Sequence, residues 1–311
     1  MRPLLHHYAM SPFAEKIRTL LGYKRIAWTS VLIPSIMPKP DLVALTGGYR
    51  RTPVLQVGAD IYCDTALISR VLEESAPEPS IFPAASAGLA RVLAQWADST
   101  LFWTAMSYTL QPAGIAHMFA GQTPESMKAF AADRMPFRSS IPRTRIPEAT
   151  EWLGIYLREF ETLLADARPW LLGEAASIAD FSVYHCLWFV SRGGPMAAIL
   201  ERYPRVKGWL GHMLAIGHGD SARLDSHAAV ELAAVSQAKP VSPDQFQNTH
   251  GLGFGAPVTI AAVDYGTDPV AGELVISRPE EIGLRRTDER AGTVVVHFPR
   301  LGFEIRSAAP A

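Results

Sequence analysis

The sequence predicts an α/β unit, then an all-helical bundle, then a small all-β module. Three observations point there. Up to residue 77, short apolar runs alternate with helical stretches, as in a layered α/β arrangement. From 86 to 234, apolar residues recur at three- and four-residue spacing. Beyond Lys239-Pro240, valine-rich runs punctuated by glycine and proline favour strands and hairpins.

The first unit, 1–77, reads as strand 4–8, helix 12–22 and strand 27–33, followed by a hairpin over 53–57 and 60–62. Pro12 suits the first position of its helix. A closing helix over 65–74 carries Ala66, Leu67, Ile68, Val71 and Leu72. Three prolines between 74 and 83 mark a linker. The helical domain, 84–238, opens with a long segment bearing Leu89, Val92, Leu93, Trp96, Leu101 and Trp103. A second segment runs over 147–167, and a third, 178–190, is apolar on most faces and should be buried. Between them, 123–147 is interrupted by Pro124, Pro136, Pro142 and Pro147 and predicts an exposed excursion. Its arginines 134, 138, 143 and 145 predict a solvated flank, or the lining of an anionic pocket. The last module, 240–311, predicts strands at 258–263, 273–277, 293–298 and 303–306.

Composition excludes several function classes. The 311 residues hold 29 Lys+Arg against 30 Asp+Glu, a net charge of −1, so neither nucleic acid nor an acidic membrane surface is an expected partner. Hydrophobic residues make up 48% and charged ones 19%, enough apolar material for a large core. Cys63 and Cys186 are the two cysteines, too few for a disulfide framework or a cysteine zinc cluster, which fits a reducing compartment. His212 and His218 suggest no complete metal set because no third ligand follows. The N-terminus lacks a secretory pattern and no run of ~20 apolar residues is unbroken, so a cytoplasmic protein is expected.

Two motifs carry chemistry. The first, Tyr8-Ala9-Met10-Ser11-Pro12-Phe13, sets Ser11 where a strand gives way to a helix. Unpaired N–H groups and a positive dipole end favour a thiolate or carboxylate there, although a plain N-cap, worth ~1 kcal/mol, also accounts for Ser11. The second joins Arg51-Thr52-Pro53 to Asp64-Thr65. A proline opening a strand can hold a cis bond and turn the preceding backbone outward, to pair with an extended peptide. Asp64-Thr65 starts the next helix, where it caps or holds an ammonium and a carboxylate together.

On these motifs the chain resembles a serine-type glutathione transferase, with a thioredoxin-like N-terminal domain and a helical C-terminal domain. The resemblance covers residues 1–234 and leaves 240–311 unexplained. It implies that Ser11 faces the glutathione sulfur and that Thr52 and the cis Pro53 hold the cysteinyl backbone. It further implies that Asp64 and Thr65 hold the γ-glutamyl group and that Arg51 contacts the glycyl end. Ser177-Ile178-Ala179-Asp180 matches the family's structural capping box. Asp64 stands where the family more often has Glu or Gln, and no omega-like cysteine is present, which argues against mixed-disulfide chemistry. Tyr8 is the rival sulfur donor.

The expected task is to hold glutathione, as co-substrate, in its thiolate form and to add it to an apolar electrophile. An interdomain pocket built from Phe13, Tyr49, Trp103, Met106 and Tyr108 suits flat substrates, while plain helix core is the simpler account of Trp103 and Met106. A non-catalytic scaffold, with the β module as docking surface, is one alternative. A glutathione-dependent lyase or isomerase is another, and it uses the same residues. The resemblance also implies a homodimer.

Overall fold

A computed structural model of the chain describes residues 2–139, 144–247 and 250–308. The first strand, β1 (Leu4–His7), leads into α1 (Pro12–Tyr23). The Ser11 hydroxyl and Pro12 start this helix, and Ile17, Leu20 and Leu21 bury its inner face. Then follow β2 (Trp28–Leu32), α2 (Pro40–Thr46), β3 (Val54–Val57), β4 (Asp60–Cys63) and α3 (Thr65–Ser75). β1 runs parallel to β2 and antiparallel to β3, which pairs antiparallel with β4. The unexpected element is α2, whose seven residues are too few for a periodic signal.

The helical domain comprises α4 (Ala87–Trp96), a π-helical turn (Ala97–Leu101), α5 (Phe102–Thr109), α6 (Pro112–Met118), α7 (Pro124–Ser139), α8 (Ile146–Leu163), α9 (Ile178–Ser191) and α10 (Pro204–Ile216). As its composition implies, α9 is buried along nearly its whole length. The capping box forms: Asp180 accepts from the Ser177 N–H at 2.9 Å, and also from the Leu171 N–H at 2.8 Å and Trp209 Nε1 at 3.0 Å. The excursion contains a helix over Pro124–Ser139, exposed along most of its described side chains: Pro124 sits at its start, where no N–H is needed, and Pro136 falls near its end, where it removes a single helical hydrogen bond. This helix also folds back on the first domain. Asp133 accepts from the Met37 N–H and from Arg50, and Arg134 donates to the Ser35 carbonyl at 2.8 Å. Arg134 is thus bonded and partly buried, not a solvated flank; Arg143 and the Arg138 side chain lie outside the described residues.

After α10 comes a short strand absent from the sequence reading, β5 (Ser221–Leu224), parallel to β2, and then α11 (Ser226–Val235). The β-rich segment supplies β6 (Pro257–Ala262), β7 (Val270–Ser277), β8 (Glu281–Asp288), β9 (Gly292–Pro299) and β10 (Phe303–Ser307). Its charged stretch 281–288 carries little β-branched signal, so β8 escaped the reading. These strands continue the first domain's sheet. β9 pairs parallel with β4, with Ile61 opposite Val296, giving one ten-stranded sheet ordered β10-β6-β7-β8-β9-β4-β3-β1-β2-β5. Val54, Ile61 and Leu45 share a core with Ile260, Leu284, Val296 and Phe298. At the seam, His297 meets Asp60 at 2.9 Å and Glu281 at 2.7 Å, with its ring stacked on Tyr62. Burial alone would lower the pKa of this imidazole, but the two carboxylates outweigh burial and raise it.

Candidate ligand cavity

Two turns at the ends of strands create the polar floor of a cavity between the first domain, α4 and the last module. The Thr52-Pro53 bond is cis and opens β3, and Asp64 caps α3, its Oδ1 accepting the Ala66 N–H at 2.9 Å. Asp64 has φ 73°, a left-handed conformation rare for a residue with a side chain and one that clusters at functional positions. Burial pushes its carboxyl pKa up, against the opposing pull of Arg51. Thr52, Pro53, Asp64 and Thr65 all line this cavity of about 540 Å³, a size suited to small ligands.

Beneath Thr65 lies a buried network that sequence reasoning missed. Lys16 Nζ donates to Thr65 Oγ1 at 3.3 Å and to Asp98 Oδ2 at 2.6 Å, and Asp98 Oδ1 meets His185 Nε2 at 2.9 Å. Burial by itself would raise the Asp98 pKa, but Lys16 and His185 hold it down; burial lowers that of His185. The π-helical turn after α4 carries Asp98 to this place, a device frequent at functional sites. Only the hydrophobic pattern of that segment was visible in the sequence, and it gave no sign of the carboxylate's direction.

Ser11 sits at the start of α1, 2% exposed, its Oγ accepting the Ala14 N–H at 3.2 Å. It lies outside the cavity's lining, whereas Phe13, two residues on, is part of it. Tyr8 accepts from Arg134 at 3.3 Å, and its ring lies 5.7 Å beneath Lys39 Nζ. Lys39, also missed, reaches Thr52 Oγ1 at 3.4 Å; burial, with Arg134 nearby, lowers its pKa to about 8.

Arg51 is held by the last module. Its Nε donates to the Tyr265 carbonyl at 2.9 Å, a terminal nitrogen meets the Asp264 carboxylate, and its guanidinium lies 3.9 Å from the Tyr265 ring centre. Asp64 stands 3.8 Å away on the other side. Of the expected aromatic pocket, Phe13 and Tyr49 line the cavity, while Trp103, Met106 and Tyr108 do not. Trp103 stands behind Tyr265 with ring centres 5.2 Å apart, Met106 packs against the helical core, and the Tyr108 hydroxyl donates to the Met196 carbonyl at 3.0 Å. Tyr265, from a distant stretch of sequence, fills the space in front of Trp103, while helical packing takes up Met106 and Tyr108. Cys63 is fully buried, which pushes its thiol pKa well up. His218 meets both Glu15 oxygens at 3.1 Å.

Comparison with known proteins agrees with this architecture. Residues 5–80 match the family model of the glutathione S-transferase N-terminal domain, and residues 156–212 that of its C-terminal domain. The chain is 42% identical to a GST-like protein from Pseudomonas syringae, whose crystal structure superposes with a TM-score of 0.83 over 99% of both chains. A glutathione S-transferase from Rhodospirillum rubrum shares the fold at 24% identity, with a TM-score of 0.51, covering 68% of this chain and 86% of that one. FtsZ-localized protein A of Caulobacter vibrioides is 25% identical over 185 residues, 57% of this chain and 72% of that protein.

Proposed function

Because the chain belongs to the glutathione S-transferase family, we propose that it binds glutathione and adds the thiolate to an apolar electrophile. One observation carries the reading: the two turns at either end of the β3–β4 hairpin, Thr52-Pro53 and Asp64-Thr65, line the same cavity. The donor set suits the tripeptide. Asp64 takes the α-ammonium, and Thr65, with the free N–H groups of α3 and the nearby Lys16 ammonium, takes the α-carboxylate. Thr52, just before β3, offers its main chain to the cysteinyl unit. Arg51 serves the glycyl carboxylate in competition with Asp264.

Bound glutathione supplies the sulfur nucleophile. As an N-cap, Ser11 uses a lone pair and keeps its O–H proton, which it donates to the sulfur. Lowering a thiol pKa from ~8.5 by ~2 units takes ~2.7 kcal/mol, within reach of that bond plus the α1 dipole. Phe13 and Tyr49 face the electrophile. Homodimerisation and a cytoplasmic location belong to the same proposal; among the described residues no helix is long and apolar enough to cross a membrane.

Calorimetry tests the reading. We expect saturable glutathione binding at millimolar concentration and its loss in Asp64→Ala; absence of heat from the unaltered chain ends both the transferase and the lyase or isomerase readings. A non-catalytic binding role is then the remaining account.

A further inference from the structure

The loop between β6 and β7, residues 263–269, reaches the cavity from far across the sheet. In the strand order β6 lies five places from β3. At ~4.8 Å per strand, a flat sheet would hold the two ~24 Å apart. Yet Asp264 and Tyr265 touch Arg51, just ahead of β3, so the last module curls back over the Thr52-Pro53 turn. There it gives Arg51 everything that a bound carboxylate would. A terminal nitrogen meets the Asp264 carboxylate and the Tyr265 carbonyl, Nε donates to the same carbonyl at 2.9 Å, and the Tyr265 ring covers the guanidinium at 3.9 Å. The same loop sets Asp268 4.0 Å from the neighbouring Arg50. The partners in the Arg51 pair are unequal: the arginine side chain is 10% exposed and that of Asp264 47%. The cation is thus fixed in the cavity wall, while the carboxylate stands half in water and can turn outward at little cost, because a pair with so exposed a member adds little stability. Tyr265 stays behind, its ring wedged between Arg51 and Trp103.

We propose that Asp264 is the chain's own stand-in for a ligand carboxylate: it occupies Arg51 while the cavity is empty, and a ligand acid gains Arg51 only by displacing it. Resting on the transferase reading, this makes the last module an intramolecular competitor for the glycyl carboxylate and sets the resting chain in a low-affinity state. A tethered acid acts at a high effective concentration. With the pair closed about nine-tenths of the time, binding through Arg51 is weakened about tenfold. The guard discriminates by charge, since a ligand without that carboxylate meets no competition. Asp264 therefore decides how much the C-terminal charge of the thiol peptide contributes to its binding.

The test uses the full chain, calorimetry, and two ligands: glutathione and its ethyl ester at the glycyl carboxyl. The unaltered chain should bind both with similar affinity. Asp264→Asn, which keeps the side chain's shape at a half-exposed position, should tighten glutathione about tenfold and leave the ester where it was. Adding Arg51→Gln to that variant should remove the gain. Glutathione affinity unmoved by Asp264→Asn, or an ester tightened as much as glutathione, overturns the proposal. A second measurement needs no ligand. Phenylglyoxal attacks the unprotonated guanidine, and an ion pair favours the protonated form, so labelling of Arg51, followed by peptide mass spectrometry, should be several-fold faster in Asp264→Asn. Equal labelling rates overturn the proposal whatever the calorimetry shows. Silence of both ligands toward every form, with the labelling difference intact, ends the tripeptide reading alone and upholds Asp264 as the guard of Arg51 against another acid.

Discussion

At the scale of single residues, Ser11 and Asp98 separate two kinds of contribution. Ser11→Ala removes both an N-cap and the proposed sulfur donor. It should cost about 1 kcal/mol of stability and leave glutathione bound with a higher thiol pKa. A thiolate absorbance titration of the complex reads that pKa, and no change would move the donor role to Tyr8, whose hydroxyl lies beside Arg134. Asp98→Ala acts on the frame instead. The Lys16 side chain is 1% exposed, so losing its carboxylate leaves a buried, uncompensated charge, at a cost of about 3–5 kcal/mol. Urea unfolding should show that loss at neutral pH, and a midpoint within error of the parent chain would mean that water replaces the carboxylate. The short motifs singled out Ser11, Thr52, Pro53, Asp64 and Thr65, of which all but Ser11 line the cavity. They could not show Lys16, Lys39 or Asp98, because an isolated charge in a helix or loop has no pattern until its partners converge on it.

At the scale of elements, the informative contact is β9 against β4. Sequence patterning identified strands at both places, since alternation and β-branched residues are local properties. Pairing partners more than two hundred residues apart are not local, so the merged sheet was not legible. The pairing covers what would otherwise be an open edge, a liability in any exposed sheet. A chain ending at Pro240 should therefore expose the β4 edge and the apolar face around Val54 and Ile61, with a lowered unfolding midpoint and a rise in aggregation. Thermal denaturation followed by light scattering checks this; a truncated chain as stable and soluble as the whole would make the last module a separable domain.

For the whole molecule, charge burial sets a pH profile. Burial lowers the pKa of His6 to about 4 and that of His7 to about 3, so the unfolded chain takes up protons first once the pH falls below 6.5. Their contribution is complete above that value and is lost as the pH falls toward 4 and 3. Glu15 is a mixed case: burial acts to raise its pKa, but His218 and Arg18 bring it to about 2, so its contribution is complete above 4.5 and lost toward 2. All three make acid destabilising. His297 works the other way. With its pKa raised by Asp60 and Glu281, the latter also within reach of Arg278, it contributes fully below 6.5 and loses that contribution as the pH rises through its folded-state value. The thermal midpoint should therefore decline on both sides of a maximum, and His297→Gln should flatten the alkaline arm while leaving the acid arm in place. An alkaline arm unchanged by that substitution would remove His297 from the account.

The sequence by itself determined the three kinds of texture along the chain, the first helix and its cap, and the two short motifs around Ser11 and at Thr52-Pro53 with Asp64-Thr65. Each of these is written in residues a few positions apart, where turn chemistry, capping and hydrophobic period act directly. Only the tertiary structure decided that the last module joins the first domain's sheet, that Arg51 is gripped by Asp264 and Tyr265, and that Tyr265 stands in front of Trp103. Those outcomes depend on which distant surfaces bury one another, and burial is a property of the folded whole rather than of any stretch of chain.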